Sequence, residues 1–428
     1  MKSQRWIRII PVALIMYTIA YVDRTNISLA LDPKISTMMS ELKMDDQMKG
    51  QAAGIFFLGY ILLQIPGGYL ATHWSARKLV AILLVFWGLC AIGCGYATTF
   101  KQFEIWRFLL GVAESGVFPA TLVLLTHWFP RAERARANAF WNLCMPLSVA
   151  FSSPFTGWML KKYQWHTTIA IEGLLPFIWL PIWLYFISDH PRQARWISDE
   201  ERDHLETTLA REGAERPQAK GQSVWRIFLL PAVLVLLAVY FLQNCAAYGC
   251  MTFLTECLKG APGTESGFIS GVLFAIPYVV TAFVMLLVSW GSDRSGERRG
   301  YVALVYVVSG IALVASVLLK ERSFWLSYVL LCLAVPGPYA SLAPFWAIPA
   351  EILPKNVLGS VMGLINAIGN IGGYVGPSIV GLLVKRSHGV KIPFSVLGGG
   401  LLLAALLIAN LPMVRQSLSA EVKPVVAD

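Results

Sequence analysis

Two apolar stretches of this sequence carry charges of both signs. In IIPVALIMYTIAYVDRTNISLAL, residues 9–31, Asp23 and Arg24 stand side by side, and in RFLLGVAESGVFP Arg107 and Glu114 are seven residues apart. At about 100° per residue Arg107 and Glu114 share one helix face, about 10.5 Å apart along the axis. That is too far for direct pairing unless the side chains bend, but both can face a cavity shared with Asp23 and Arg24, with Gly111 leaving space between them. A charge inside a bilayer costs roughly 2.5–3.5 kcal/mol on insertion scales. A buried ion pair that fixes helix packing is the plain alternative, yet two acids and two arginines exceed what packing needs. With both acids ionised the four sum to zero. A monoanion adds one negative charge, and one proton on Asp23 or Glu114 restores neutrality. The chemistry available is therefore coupled binding: arginine holds an anion and an acid takes the compensating proton.

The second half of the chain offers amides and rings instead of charges. MGLINAIGNIGGYVGP puts Asn366 and Asn370 on one helix face among Gly369, Gly372, Gly373 and Gly376. Unpaired amides are costly in a membrane, so these should face a partner or a cavity, while the glycines read as close-packing surfaces. Gln243, Asn244, Tyr278 and Asn142 are further candidates to line the cavity. Glu172 reads as structural, and Glu104, Glu256 and Glu351, at helix ends, as solvated or capping residues.

Other chemistries lack their residues. Cys90 and Cys94 share a helix face, but no nearby His or second Cys pair completes a metal site, so the thiols read as packing. The six His residues (His73, His127, His166, His190, His204, His388) fall at span ends or in loops, which gives no His relay. No nucleotide loop or nucleophile–His arrangement supports an enzyme using Asp23 and Glu114 as acid and base. No cofactor is expected.

The elements that must position these residues are membrane helices. Only 14% of the 428 residues are charged and 56% are hydrophobic, with a mean hydropathy of +0.59, against about 25% charged for a soluble protein. Runs long enough to span the hydrocarbon core fall near 7–31, 51–71, 78–98, 103–127, 137–160 and 167–187, then near 225–248, 267–290, 301–319, 324–350, 358–384 and 392–413. The sequence thus predicts an all-α polytopic protein of twelve transmembrane helices in two six-helix bundles, 1–187 and 225–428. The charge-rich linker between them, 188–224, carries an amphipathic surface helix over 198–211. MKSQRWIR leads into the first span without a small-residue cleavage site, as a retained helix would. With an inside N-terminus, inner segments hold 20 of the 35 Lys and Arg and outer loops 12. That bias predicts cytoplasmic termini, and it explains the net charge of +10 without nucleic acid.

The halves also repeat. GGYLATHWSARK corresponds to VSWGSDRSGERR, matching Thr72 with Asp293, and SSPFTG corresponds to VGPSIVG. Parallel halves around a midplane site are a transporter architecture. On these residues the chain resembles the major facilitator superfamily, whose inter-helix loop reads roughly G-x-L-x-D-R-x-G-x-R. SDRSGERR keeps Asp293, Arg294, Gly296 and Arg298 as a gating loop, whereas the first copy has Thr72 in place of the acid and Ser75 in place of the glycine. Within that superfamily YVDRTNIS, FFLGYILLQIPGG, RFLLGVAESGVFP and THWFPRAERARANA resemble the anion:cation symporter branch, which includes sugar-acid, tartrate and phthalate permeases and sialin. The resemblance implies uptake of an organic anion with protons in a bacterial inner membrane. It implies proton-coupling roles for Asp23 and Glu114, and anion-holding or acid-neutralising roles for Arg24 and Arg107. Tyr21 and Tyr60 would line the cavity, with Trp346 and Asn366 as their nearest equivalents in the second half. A monomer is expected, with the anion, protons and the bilayer as partners. Export of an amphipathic compound on the same fold, and Na⁺ coupling, are the alternatives.

Overall fold

The computed structural model describes residues 4–194, 196–214, 229–261, 263–353 and 355–411. Helices carry the apolar runs: α1 (Gln4–Ala30), α2 (Asp46–Leu62, continued by Gln64–Leu70), α3 (Ala76–Gly95), α4 (Phe100–Ser115 and Val117–Trp128), α5 (Arg131–Asn142 and Cys144–Lys162) and α6 (Trp165–Glu172 and Leu175–Phe186). The second set is α7 (Pro231–Leu258), α8 (Gly267–Ser295), α9 (Arg299–Leu319), α10 (Phe324–Ala334, Pro336–Ala340 and Leu342–Ile352), α11 (Lys355–Ser387) and α12 (Lys391–Ala409).

Among the described residues eleven helical stretches are long and apolar enough to cross a membrane. One of them, Gln64–Gly95, joins two of the twelve spans. The chain bends at Ser75, whose backbone is extended (φ −169°, ψ 119°) and whose hydroxyl caps α3 by accepting from the Lys78 amide. The 17 residues of Asp46–Leu62 are too few to cross alone, and Gln64–Leu70 completes that span. Helix α2 also starts before its apolar run, because Asp45 caps it by accepting from the Met48 amide. Helix α7 runs ten residues past the expected 248, so Glu256 lies inside its last turn.

We call the side carrying Gln4 and the linker the near side and its opposite the far side. The helix Asp199–Ala214 is tied to the near side of the first six spans: Arg5 donates to Glu201 at 2.8 Å and to Glu133 of α5 at 2.8 Å. Of the linker expected over 188–224, residues 195 and 215–224 lie outside the described residues. The two halves meet through α2 against α11 and α5 against α8. Glycine permits this approach: a Cβ on Gly157 would stand 2.1 Å from the Gly267 carbonyl oxygen, and one on Gly50 2.2 Å from that of Pro377.

Candidate functional site

Helix α1 supplies the centre of the site. Tyr17, Tyr21 and Arg24 follow at helical spacing, and the Arg24 guanidinium lies over four rings: Tyr60 at 4.6 Å, Phe56 at 4.9 Å, Tyr21 at 5.0 Å and Tyr17 at 5.8 Å. Ring faces carry negative quadrupole charge and so hold a cation in a place that water does not reach. Arg24 also donates from Nε and Nη2 to Glu114 Oε2, at 3.3 and 3.0 Å. Glu114 Oε1 is buried and receives no hydrogen bond. The Tyr17 and Tyr60 hydroxyls are 3.1 Å apart, and Tyr21 meets Tyr248 of α7 at 3.1 Å across the two halves.

Arg107 and Asp23 are placed differently from Arg24. Arg107 donates to the backbone carbonyls of Asp23 (2.8 Å) and Ala52 (3.4 Å), so it cements α4 to α1 and α2. The Asp23 carboxylate accepts from the Trp87 indole of α3. Gly111 opens no cavity: a Cβ there would lie 2.0 Å from the Phe56 carbonyl, because α2 already fills the space. The shared cavity of four charges expected from spacing is therefore corrected. Arg24 and Glu114 pair, while Arg107, over the same Phe56 ring at 5.2 Å, bonds to backbone and Asp23 to Trp87.

Glu172 is a further buried acid of the first half. It is 4% exposed and accepts from Asn26 of α1 at 2.9 Å and from Thr156 of α5. Its two bonds tie three helices of the first half together.

The second half presents neutral groups. Asn366 donates to Gln64 of α2 across the interface, and Trp346 stands half-buried with its ring 5.0 Å from that of Tyr240. Phe57 and Tyr248 rings meet at 4.2 Å between the halves. Asn244 bonds back to the Tyr240 carbonyl, and Gln243 joins Tyr306 to the Pro338 carbonyl, so both amides serve the second bundle itself. Tyr278 is buried there, stacked on Phe274 and edge-on to Tyr339. Asn142 is half-buried at the break of α5, beside the Trp141 ring that packs on Tyr17.

At the near side Arg298 pairs with Asp293 at 2.6 Å and with Glu351 at 3.3 Å, while Arg294 covers the Trp290 ring. Glu351 thus has an ionic partner in the turn between α8 and α9. Thr72 bonds to the Gly68 carbonyl of its own helix. It also lines a near-side cavity of about 660 Å³ with His127, His190 and Arg192, away from the arginine site.

Sequence reading missed the far-side pairs. Lys49 of α2 is fully buried and reaches Glu256 of α7 at 3.1 Å, over the Phe253 ring, and Lys259 pairs with the same carboxylate. Lys385 meets Asp45 at 2.9 Å and holds that carboxyl below its usual range. The signal available was a lone Lys one residue before GQAAG, which reading α2 from residue 51 had left outside the span.

The family model described as Major Facilitator Superfamily matches residues 13–377. The chain belongs to the major facilitator superfamily. It is a multi-pass transporter and not an enzyme. A protein of Agrobacterium vitis named a tartrate transporter is 31% identical, over 94% of this chain and 88% of that one. A quinolone resistance transporter of Acinetobacter baumannii is 30% identical, over 88% and 86%. A protein of Bacillus subtilis named a galactarate/D-glucarate transporter is 26% identical, over 90% and 87%. The solved D-xylose-proton symporter superposes with a TM-score of 0.75 over 96% of this chain and 98% of that one. At 14% identity that last likeness concerns the major facilitator fold alone.

Proposed function

We propose that this protein imports a small organic anion (a sugar acid, a hydroxy acid or a related carboxylate or sulfonate) by proton symport and alternating access across a bacterial inner membrane. The observation that carries the reading is Arg24, a guanidinium walled by aromatic rings whose partner Glu114 keeps one buried oxygen without a donor. An anion entering between the halves competes with Glu114 for Arg24. Once displaced, Glu114 is a buried carboxylate without its counter-charge, and a proton neutralises it. Anion and proton are thereby linked at one residue.

In this mechanism Asp23 is a second proton site, oriented by Trp87, and Arg107 acts by fixing the backbone around it. Tyr21, Tyr60, Trp346 and Asn366 line the path of the anion. Residues 1–187 and 225–428 rock about the site, joined by 188–224, with the near side in the cytoplasm. The Lys and Arg bias supports that orientation. The relatives named for tartrate and for galactarate and D-glucarate support an acid as substrate. The test is uptake of labelled organic anions into proteoliposomes under an imposed pH gradient. Uptake that ignores the gradient, with either H⁺ or Na⁺, removes the coupling scheme.

Similarity to a quinolone resistance transporter favours a second reading, export of an amphipathic compound. Inside-out vesicles that accumulate such a compound, in proteoliposomes inert to every organic anion, would decide for it.

A further inference from the structure

The distribution of charge across the interface of the two halves restricts what can be carried. Arg24 is the mid-membrane cation nearest that interface: Tyr21, which brackets it, bonds to Tyr248 of α7. Arg107 donates from Nε to the Ala52 carbonyl and from Nη1 to the Asp23 carbonyl, and Lys49 is fully buried against Glu256 on the far side. On the opposite wall, among the described residues of α7–α12, charged side chains occur only in the terminal turns: Glu256, Asp293, Arg294, Glu351, Lys385 and their neighbours. Between those turns that wall offers the half-buried Tyr248, Trp346 and Asn366.

A molecule bound at Arg24 therefore meets one ionic handle and, at its other end, rings and neutral amides. A second full charge there would be stripped of water with no counter-charge to receive it. The first bundle adds a further restriction. Asp23 and Glu114 lie beside the two mid-membrane arginines, so each added negative charge must be met by one more proton on a limited set of acids.

We infer that the substrate is a monoanion, bearing one carboxylate or sulfonate that Arg24 holds and an uncharged hydroxylated or aromatic body that lies against Tyr248 and Trp346. Fully ionised dicarboxylates are refused, which separates this chain from the relatives named for tartrate and galactarate. The inference rests on the anion-import reading above and narrows it.

The test compares pairs that share a skeleton in proteoliposome counterflow with the full chain: gluconate with glucarate, benzoate with phthalate, and ethanesulfonate with ethanedisulfonate. At a pH where both groups ionise, at least one monoanion should be carried about tenfold or more better than its dianion. Dicarboxylate uptake should rise as acid protonates one carboxyl, whereas the disulfonate, which stays doubly charged, should remain excluded. Asn366→Lys puts a cation on the neutral wall and should shift the ratio within a pair toward the dianion. A dianion carried as well as its monoanion by the wild type overturns the inference and leaves anion import standing. Failure to carry either member of any pair overturns both.

Discussion

At the residue scale, the two arginines differ in what their donors hold, and this predicts different failures. Arg24→Lys keeps the charge but replaces a planar fork with a point charge, so it should raise KM for uptake at least about tenfold. Arg107→Lys gives up one of the two charge-assisted bonds to helix carbonyls, a loss of about 1.5–3 kcal/mol. It should lower the melting temperature of the detergent-solubilised protein more than it changes KM. Equal KM effects with unchanged melting would mean that both arginines touch the anion. Glu114→Gln mimics the protonated acid. It should still exchange labelled for unlabelled substrate yet fail to accumulate it on a pH gradient, and wild-type accumulation would remove Glu114 from the coupling.

At the element scale, the halves meet on the far side through glycine contacts between α5 and α8 and an ion pair between α2 and α7. Gly157→Val has no room beside the Gly267 carbonyl, so it should part the halves on the far side. Cysteine probes introduced there should label faster than in the wild type. Lys49→Met removes the ion pair that joins α2 to α7 and leaves Glu256 paired with Lys259 alone. It should shift labelling in the same direction. Asp45→Asn should do little, because both partners of that pair are about half exposed and such pairs are worth about 0–1 kcal/mol. The sign of its pH response follows from the lowered Asp45 carboxyl. The pair contributes above the ordinary carboxylate range and is lost as pH falls through the lowered value. Labelling unaffected by Gly157→Val and Lys49→Met together would show that closure lies elsewhere.

At the scale of the whole molecule, the proposal predicts a voltage effect. A monoanion accompanied by protons on both Asp23 and Glu114 carries net positive charge inward. A membrane potential contributes about 2.3 kcal/mol per elementary charge per 100 mV, so an inside-negative potential should stimulate uptake strongly. Uptake in proteoliposomes clamped with a potassium gradient and valinomycin measures this directly. Indifference to the potential would leave one proton per monoanion.

The fold class follows from hydropathy, because a bilayer admits few alternatives to apolar helices of the right length. The paired halves follow from the repeat of Thr72 and Asp293, and the presence of Asp23, Arg24, Arg107 and Glu114 at mid-membrane follows from their cost there. Which charge meets which does not follow from spacing. Along one helix Arg107 and Glu114 share a face without reaching each other, but tertiary packing brings Arg24 of α1 to Glu114 and sets Arg107 on the Asp23 and Ala52 carbonyls. Lys49 and Glu256 lie 207 residues apart and become partners only where α2 and α7 close. Composition and periodicity act within one helix, whereas an ion pair is decided between helices, and only the tertiary structure brings those together.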